Sequence, residues 1–217
     1  MRVGILGSGL MGGKLGTLFA RAGHAVLFSY SRSQQKLKKI ARDAGQNARA
    51  GTPAEAARDA DALLLAVHWS RVDDVLRQAG DLTGKAIVTC SIPMNDADSD
   101  LVVAHTSSGA EELARKVPRG RVVSAFGTVP SEVLFGVFAA RRRKTTRPSL
   151  VYCGDDSGAK ELAALLIRDV GFDPLDAGPL KIARYIEPFT LLVAQLAYEG
   201  DGGPELAYRF EHFPEPA

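Results

Sequence analysis

The feature of this sequence that most constrains its fold is the glycine-rich stretch within its first 42 residues. An apolar run over 3–6 leads into Gly7-Ser-Gly9-Leu-Met-Gly12, a helical pattern covers 11–22, and a second apolar run covers 25–28. This order predicts a strand, a tight turn, a helix and a second strand. Glycines in such a turn allow close approach of the backbone to a pyrophosphate, which the positive end of the helix dipole also attracts. The turn therefore predicts a dinucleotide site that includes Gly7, Ser8, Gly9, Leu10, Met11 and Gly12.

The residues at the end of the second predicted strand indicate which dinucleotide binds. An NAD site usually has an acidic residue there for the ribose 2′-hydroxyl, whereas an NADP site has groups that hold the 2′-phosphate. No acidic residue precedes Asp43 in this chain. Lys38 and Lys39 are explained well enough as a solvated helix face. In place of an acidic residue, the end of the second strand is followed by residues that can hold a phosphate. These residues predict NADP(H): Ser29, Tyr30, Ser31, Arg32 and Lys36.

Three later apolar runs, over 62–67, 86–90 and 121–125, predict further strands. Ligands of open parallel sheets lie at the carboxyl ends of the strands, and small residues there let a planar ring approach the backbone. The alternative for His68 and Trp69 is that they only cover the sheet edge. His68 could donate a proton, but we expect it to have a positioning role. The remaining cofactor-binding residues are predicted to be Val67, His68, Trp69 and Ser91, together with Ala125, Gly127 and Thr128, which are candidates to lie beside the nicotinamide.

The alternation of strand and helix patterns continues through the chain. Strands are predicted over 150–153 and 172–177, and helices over 108–117 and 159–170, before a long apolar-faced helix near the carboxyl terminus. The fold class is therefore α/β, a Rossmann-type doubly wound and mostly parallel sheet with a short C-terminal helical extension. We expect residues 1–178 to form the NADP-binding domain and 179–217 to pack on it. The apolar face over 182–196 is compatible with a homodimer and equally with burial against the chain's own sheet.

Composition excludes several classes of function. The chain has 27 Lys and Arg against 25 Asp and Glu, a balance that favours neither nucleic acid nor a membrane surface as a partner. Two cysteines make no disulfide framework or metal set, so we expect a cytoplasmic protein without a metal site. No catalytic acid, base or nucleophile stands out. The basic run of Arg141, Arg142, Arg143, Lys144 and Arg147 is typical of a solvated loop, although it could meet an anionic cosubstrate.

Taken together, these motifs resemble the NADPH-dependent oxidoreductases of the F420H2:NADP oxidoreductase type, in which F420 is a deazaflavin coenzyme. The resemblance implies hydride transfer between the nicotinamide and a deazaflavin, with the protein mainly aligning two rings. The spacing of the glycine turn and the loop over 126–148 depart from that family. The module is also similar to the cytosolic domain of ferric-reducing membrane proteins, whose acceptor is a flavin. The resemblance is carried by the glycine turn, Ser31-Arg32 with Lys36, Val122-Val-Ser-Ala125 with Thr128-Val-Pro130, Cys153-Gly-Asp-Asp156 and Leu175-Asp-Ala-Gly-Pro-Leu180.

Two other functions remain open from the sequence. The start of the chain looks like that of β-hydroxyacid dehydrogenases, and Lys181 could imitate their helical catalytic lysine. Those enzymes need a much larger helical domain after the sheet than the residues here provide. A non-catalytic NADP(H)-binding sensor is the second alternative, because a hydride-transfer site needs no characteristic catalytic residues.

Overall fold

The computed structural model describes residues 1–143 and 146–213. Its strands are β1 (Arg2–Leu6), β2 (Ala25–Ser29), β3 (Ala48–Ala50), β4 (Ala62–Leu65), β5 (Ala86–Thr89), β6 (Arg121–Ser124), β7 (Ser149–Gly154) and β8 (Asp173–Asp176). Its helices are α1 (Leu10–Arg21), α2 (Gln34–Ala44), α3 (Pro53–Arg58), α4 (Val72–Ala79), α5 (Gly109–Lys116), α6 (Val133–Ala140), α7 (Ser157–Asp169) and α8 (Ala183–Ala194).

The strands form one sheet in the order β3-β2-β1-β4-β5-β6-β7-β8. Neighbours from β3 to β6 run parallel, β7 is antiparallel to β6, and β8 is parallel to β7. The chain moves outward from β1 to β3 and then crosses back to β4, so the direction of winding reverses between β1 and β4. Such a reversal leaves a crevice at the carboxyl ends of the strands. The predicted α/β, Rossmann-type, mostly parallel fold is confirmed.

Apolar layers cover both faces of the sheet. Ile5, Leu64 and Val88 face one layer, formed mainly with α1, α2, α6 and α7. Leu6 and Leu65 face the other layer, to which α3, α4, α5 and the start of α8 contribute. Parallel strands buried on both faces have continuous apolar sequences, and this is why the runs in β1, β4 and β5 could be recognised.

Most predicted elements are present, and three elements were not predicted: β3, α4 and α6. The short edge strand β3 has too few residues to show a pattern. Helix α6 lies within the segment that the sequence suggested was a loop over 126–148, so that prediction was wrong. The helix forms because its apolar sequence packs beside α1, with Val133, Leu134 and Phe138 buried. Thr52 and Pro53 begin α3, and Thr52 forms a capping box with Glu55.

The segment after residue 178 packs against the sheet. Leu180 and Ala183 join the second apolar layer. The side chain of Glu187 is only 1% exposed and accepts hydrogen bonds from the backbone N–H groups of Gly109 and Ala110, at 2.8 and 2.9 Å, which fixes α8 to the start of α5. A π-helical turn at Gln195–Glu199 ends α8, and a tail without regular structure follows. Among the helices that the structure describes, none is long and apolar enough to cross a membrane.

Candidate functional site

A cleft of about 890 Å³ opens at the carboxyl ends of β1, β2 and β4. This volume lies within the roughly 300–1,000 Å³ typical of ligand pockets, and the position is the crevice where the winding of the sheet reverses. Nine residues predicted to bind the cofactor line this cleft: Gly7, Ser8, Gly9, Tyr30, Ser31, Arg32, Lys36, Val67 and His68.

The three glycines of the turn have different physical requirements. Gly7 has a φ of +116°, and a Cβ there would lie 2.4 Å from the carbonyl oxygen of Ala66. A Cβ on Gly12 would lie 1.9 Å from the carbonyl oxygen of Gly7. Both glycines are therefore required by the fold itself. A Cβ on Gly9 would meet no protein atom within 4 Å. The protein's own packing gives no reason for a glycine at position 9, whereas close approach of a ligand to the backbone does.

The amino terminus of α1 is open toward this turn. Gly9 precedes the helix, no side chain caps this end, and the first turn contains no acidic residue. Leu10 begins the helix with its side chain exposed, and Met11 follows half-buried. Helix N-terminal N–H groups without side-chain partners make a binding site for anions, so the turn suits a pyrophosphate.

The serine hydroxyls at the base of the turn serve the turn itself. The Ser8 Oγ donates to the Ser29 carbonyl oxygen at 2.9 Å, and the Ser29 Oγ donates to the Ile5 carbonyl oxygen at 2.6 Å. Both serines are buried. The prediction that the Ser29 side chain helps hold a phosphate is therefore not supported, because its hydroxyl joins two neighbouring strands instead. β2 is buried on both faces from Val26 to Ser29, so a polar side chain at its end lies in the interior.

The side of the cleft beyond β2 is cationic. Arg32 and Lys36 are exposed, and neither has an ion-pair partner within residues 1–143 and 146–213. Ser33 accepts a hydrogen bond from the Lys36 backbone N–H and thereby starts α2, while the Ser31 Oγ accepts from the Ser33 N–H at 3.3 Å. These bonds place the side chains of Arg32 and Lys36 on a fixed turn beside the cleft.

One carboxylate lies in the cleft, and other residues engage it. The Tyr30 hydroxyl donates to Asp74 Oδ2 at 2.7 Å, and Arg77 and Gln78 also contact this carboxylate. The hydrogen bond from Tyr30 is the main cause that lowers the pKa of Asp74, while burial and the same bond raise the pKa of Tyr30. Arg71 lines the cleft as well and has no side-chain partner in the described part of the chain. The cleft is therefore positive overall.

Arg71 and Asp74 were missed by reasoning from the sequence. Asp74 lies 44 positions after Tyr30, and no periodic pattern joins the two. Arg71 was detectable in principle, since it lies in the short 3₁₀ turn Trp69–Arg71, shortly after β4 ends at Leu65. Arg71 adds a third cation to the group that Arg32 and Lys36 form.

His68 links the cleft to the polar loop after β5. Its Nδ1 lies 2.8 Å from Ser70 Oγ, and its Nε2 lies 3.2 Å from Asp98 Oδ1 and 3.3 Å from the Asn95 carbonyl oxygen. These contacts agree with a positioning role. Trp69 lies outside the cleft lining and packs, half-buried, against the second apolar layer, so here the edge-covering alternative describes it better.

The residues predicted beside the nicotinamide lie at the carboxyl ends of β5 and β6, outside the lining of the main cleft. Ser91 is buried, and its Oγ accepts from the Val67 N–H at 3.2 Å. Ala125 is buried below the loop that follows β6. A Cβ on Gly127 would lie 2.7 Å from Cδ1 of Ile92. Thr128 is 1% exposed and shares a 2.7 Å hydrogen bond with the Tyr208 hydroxyl. The structure thus gives Ser91, Gly127 and Thr128 a supporting role for the loops around the crevice.

The two cysteines, possible metal ligands and the basic run were also compared with the structure. Burial raises the pKa of both Cys90 and Cys153 to about 12, so both remain unreactive thiols. Across the residues described, no cluster of three or more His, Cys, Asp or Glu side chains could hold a metal ion. Arg141 of the basic run lies over the Phe138 ring, whereas Lys144 falls outside the described residues.

Known proteins share this fold and this module. Residues 2–93 match the family described as NADP oxidoreductase, coenzyme F420-dependent. The resemblance expected from the sequence is confirmed over that segment. The rat (Rattus norvegicus) protein metalloreductase STEAP3 is 32% identical over 190 residues, which are 88% of this chain and 36% of that protein. The chain therefore spans about a third of the length of this curated relative.

Two solved structures resemble almost the whole chain. A crystal structure from Arthrobacter sp. FB24, provisionally assigned as an F420-dependent NADP reductase, has a TM-score of 0.84 at 21% identity and covers 97% of this chain and 99% of that one. A hypothetical protein from Sinorhizobium meliloti, SMa0349, has a TM-score of 0.73 at 26% identity and covers 97% and 96%. Because the Arthrobacter structure is only 21% identical to this chain, its similarity establishes the fold alone.

Proposed function

We propose that this protein is an NADP(H)-dependent oxidoreductase that transfers a hydride between the nicotinamide and a deazaflavin (F420) or flavin-type acceptor. The observation that carries the proposal is the positive cleft beyond β2. Arg32, Lys36 and Arg71 line or border it, and its one carboxylate, Asp74, is already held by Tyr30. An NAD site would present a carboxylate to the ribose at the end of β2, and this chain has none there.

The cofactor fits the residues that are present. The open start of α1 and the bare backbone of Gly9 would hold the pyrophosphate, because the N–H groups there have no side-chain cap. Arg32 and Lys36 would hold the 2′-phosphate, since the guanidinium group forms paired hydrogen bonds with phosphate oxygens. Tyr30, fixed by Asp74, would form one wall of the cleft.

NADPH, when bound, supplies a hydride from C4 of its nicotinamide. The chain's contribution is then to orient the nicotinamide and the acceptor and to keep water away, which can supply much of the rate without an acid or a base. The structure agrees with such a role, since Ala125 and Thr128 are buried around the loop after β6 and the thiols are unreactive. His68 would hold the polar loop after β5 through Asp98 and Asn95.

A titration of NADPH oxidation against a panel of acceptors tests the proposal. The panel contains a deazaflavin, a free flavin, a ferric chelate and a small keto acid, and NADH is assayed in parallel. We expect oxidation of NADPH with the deazaflavin or the flavin and much weaker activity with NADH. Equal use of NADH would contradict the cofactor assignment. If NADPH binds but stays reduced with every acceptor, the result would favour the alternative of a non-catalytic NADP(H)-binding sensor.

The β-hydroxyacid-dehydrogenase alternative is disfavoured by the position of Lys181. This lysine lies in the 3₁₀ turn Leu180–Ile182, close to the end of β7, where the Gly154 N–H donates to the Gly178 carbonyl oxygen. Because β7 is antiparallel to β6, its end lies toward the amino ends of the parallel strands. Lys181 therefore lies at the end of the sheet that contains the amino ends of the parallel strands, opposite to the cleft. From there it is not placed to reach a substrate beside the nicotinamide.

The homodimer remains a prediction. Ile186 joins the second apolar layer and Val193 is also buried, so part of the apolar face of the last helix is covered within the chain itself. Tyr185, Leu192 and Leu196 stay exposed on the same segment and could be covered by a second copy. The cytoplasmic location and the division at residue 178 also remain predictions.

A further inference from the structure

We propose that Tyr208, in the carboxyl-terminal tail, is a positioning residue for the nicotinamide half of the site and acts through Thr128. The inference rests on the proposed function, since it assigns a role in placing the nicotinamide. Thr128 lies in the loop that follows β6, and Tyr208 lies 80 positions later. Neither the glycine turn nor the cationic cleft includes Tyr208.

The loop after β6 has a strained backbone. Phe126 has a φ of +66°, a region that bulky residues rarely adopt. Its ring is fully buried and meets Phe19 of α1 edge-on, with the ring centroids 6.1 Å apart. Strained conformations persist only where the surrounding structure fixes them, and they cluster at functional sites. Phe126 packs beneath α1 and fixes one side of this loop. The other side is held by a hydrogen bond to a different part of the chain.

Tyr208 forms this hydrogen bond close to the point where the pairing of β6 with β7 ends. β6 and β7 pair over only two registered positions, Val123 with Gly154 and Ser124 with Cys153. No pair is registered beyond Ser124, and the Tyr208 hydroxyl joins β7 to the loop that follows β6. It accepts from the Val151 N–H at 3.2 Å and lies 2.7 Å from Thr128 Oγ1. Burial raises the pKa of Tyr208, so the hydroxyl stays protonated and can donate to Thr128.

The tail around Tyr208 is itself fixed in place. The Ser149 N–H donates to the Tyr208 carbonyl oxygen at 2.8 Å, and the Phe210 N–H donates to Ser149 Oγ at 3.0 Å. The Tyr208 ring meets Phe189 and Phe210 edge-on, with centroid distances of 5.2 and 5.5 Å. The ring therefore anchors the tail, while the hydroxyl alone reaches the loop. These two roles can be separated by removing only the oxygen.

Tyr208→Phe removes the oxygen and keeps the ring. Calorimetric titration of the full-length protein with NADPH and with 2′,5′-ADP, which has the 2′-phosphate but no nicotinamide, measures the two halves of the site separately. We expect an unchanged affinity for 2′,5′-ADP. The affinity for NADPH should fall by roughly threefold to tenfold, the effect of one lost neutral hydrogen bond. Tyr185→Phe is the matched control, because Tyr185 is 70% exposed and its hydroxyl has no partner within the described residues.

Thr128 provides the second arm of the test. Thr128→Val should reproduce the selective loss of NADPH affinity, Thr128→Ser should preserve the wild-type value, and the double variant with Tyr208→Phe should lose no more than either single variant. If Tyr208→Phe impaired folding, the Thr128 variants would still decide the question from the other side. Equal affinities of wild type, Tyr208→Phe and Thr128→Val for NADPH would overturn the inference. Failure of the proposed function has a different result, namely equal binding of NADPH and NADH by the wild-type protein.

Discussion

The bare backbone at Gly9 leads to a specific prediction, that Gly9→Ala weakens cofactor binding by at least about tenfold without unfolding the protein. The backbone φ of Gly9 is −77°, which alanine also adopts, and the added Cβ would meet no protein atom within 4 Å. Alanine is a poorer helix N-cap than glycine by up to about 1 kcal/mol. It also restricts the unfolded chain by roughly 0.4–1 kcal/mol. These effects oppose each other, so the free energy of unfolding should change by less than about 1 kcal/mol.

The cofactor should respond much more strongly. A methyl group at this point would keep the pyrophosphate away from the N–H groups at the start of α1. The loss of one hydrogen bond to a charged group costs about 1.5–3 kcal/mol. That cost corresponds to an increase of roughly tenfold to 150-fold in the dissociation constant of NADPH. Calorimetric titration measures the binding, and a urea melt of the free protein measures the stability.

Two other glycines supply the controls. Gly136→Ala in α6 also adds a Cβ that meets nothing within 4 Å, and it should leave the affinity for NADPH unchanged. Gly12→Ala should instead destabilise the fold by more than about 2 kcal/mol, because its Cβ would overlap the carbonyl oxygen of Gly7. The reasoning would be refuted by a Gly9→Ala protein that binds NADPH as tightly as wild type, or by one that is as unstable as Gly12→Ala.

Three further predictions concern other parts of the molecule. Arg32→Ala should weaken NADPH binding by roughly tenfold and leave NADH binding unchanged in parallel titrations, whereas Lys38→Ala should alter neither. Burial raises the pKa of Glu187 from 4.5 to about 7. Between these two pH values the folded protein binds a proton that the unfolded chain does not, so the stability that Glu187 contributes should fall as the pH rises from 4.5 to about 7. The stability deficit of Glu187→Gln in urea melts should then be larger at pH 5 than at pH 7.5, and an equal deficit would contradict the assignment. Sedimentation should show a dimer that Leu192→Glu converts to a monomer, and a monomeric wild-type protein would exclude the dimer.

The part of the fold that could be read from the sequence is the part made by local patterns. The glycine turn, α1 and β2 follow one another within the first 29 residues, and their apolar periodicity and glycine positions determine them together. The chain's reversal at β7 and the helix α6 could not be read in this way. Both depend on which surfaces remain uncovered after the parallel strands have assembled, and no local spacing reports that.

The same distinction holds for side chains. Arg32 and Lys36 were found because they occupy a fixed position after β2. The hydroxyl of Ser29 was assigned to a phosphate, yet in the structure it bonds to Ile5, because residue type alone does not show which way a strand residue faces. The bond between Tyr30 and Asp74 joins residues that only the crossover from β3 back to β4 brings together.

The two halves of the proposed site are also assembled differently. The residues that line the main cleft fall between Gly7 and Gln78, inside the segment 2–93 that matches the family of NADP oxidoreductases. The loop at Thr128 and the tail at Tyr208 lie beyond that segment and come together only in the folded chain. Substitutions around this loop should therefore alter the choice of acceptor without disturbing the cationic cleft. We accordingly expect variants of Thr128 to change the efficiency of hydride transfer while NADPH remains preferred over NADH, and variants of Arg32 to lose that preference.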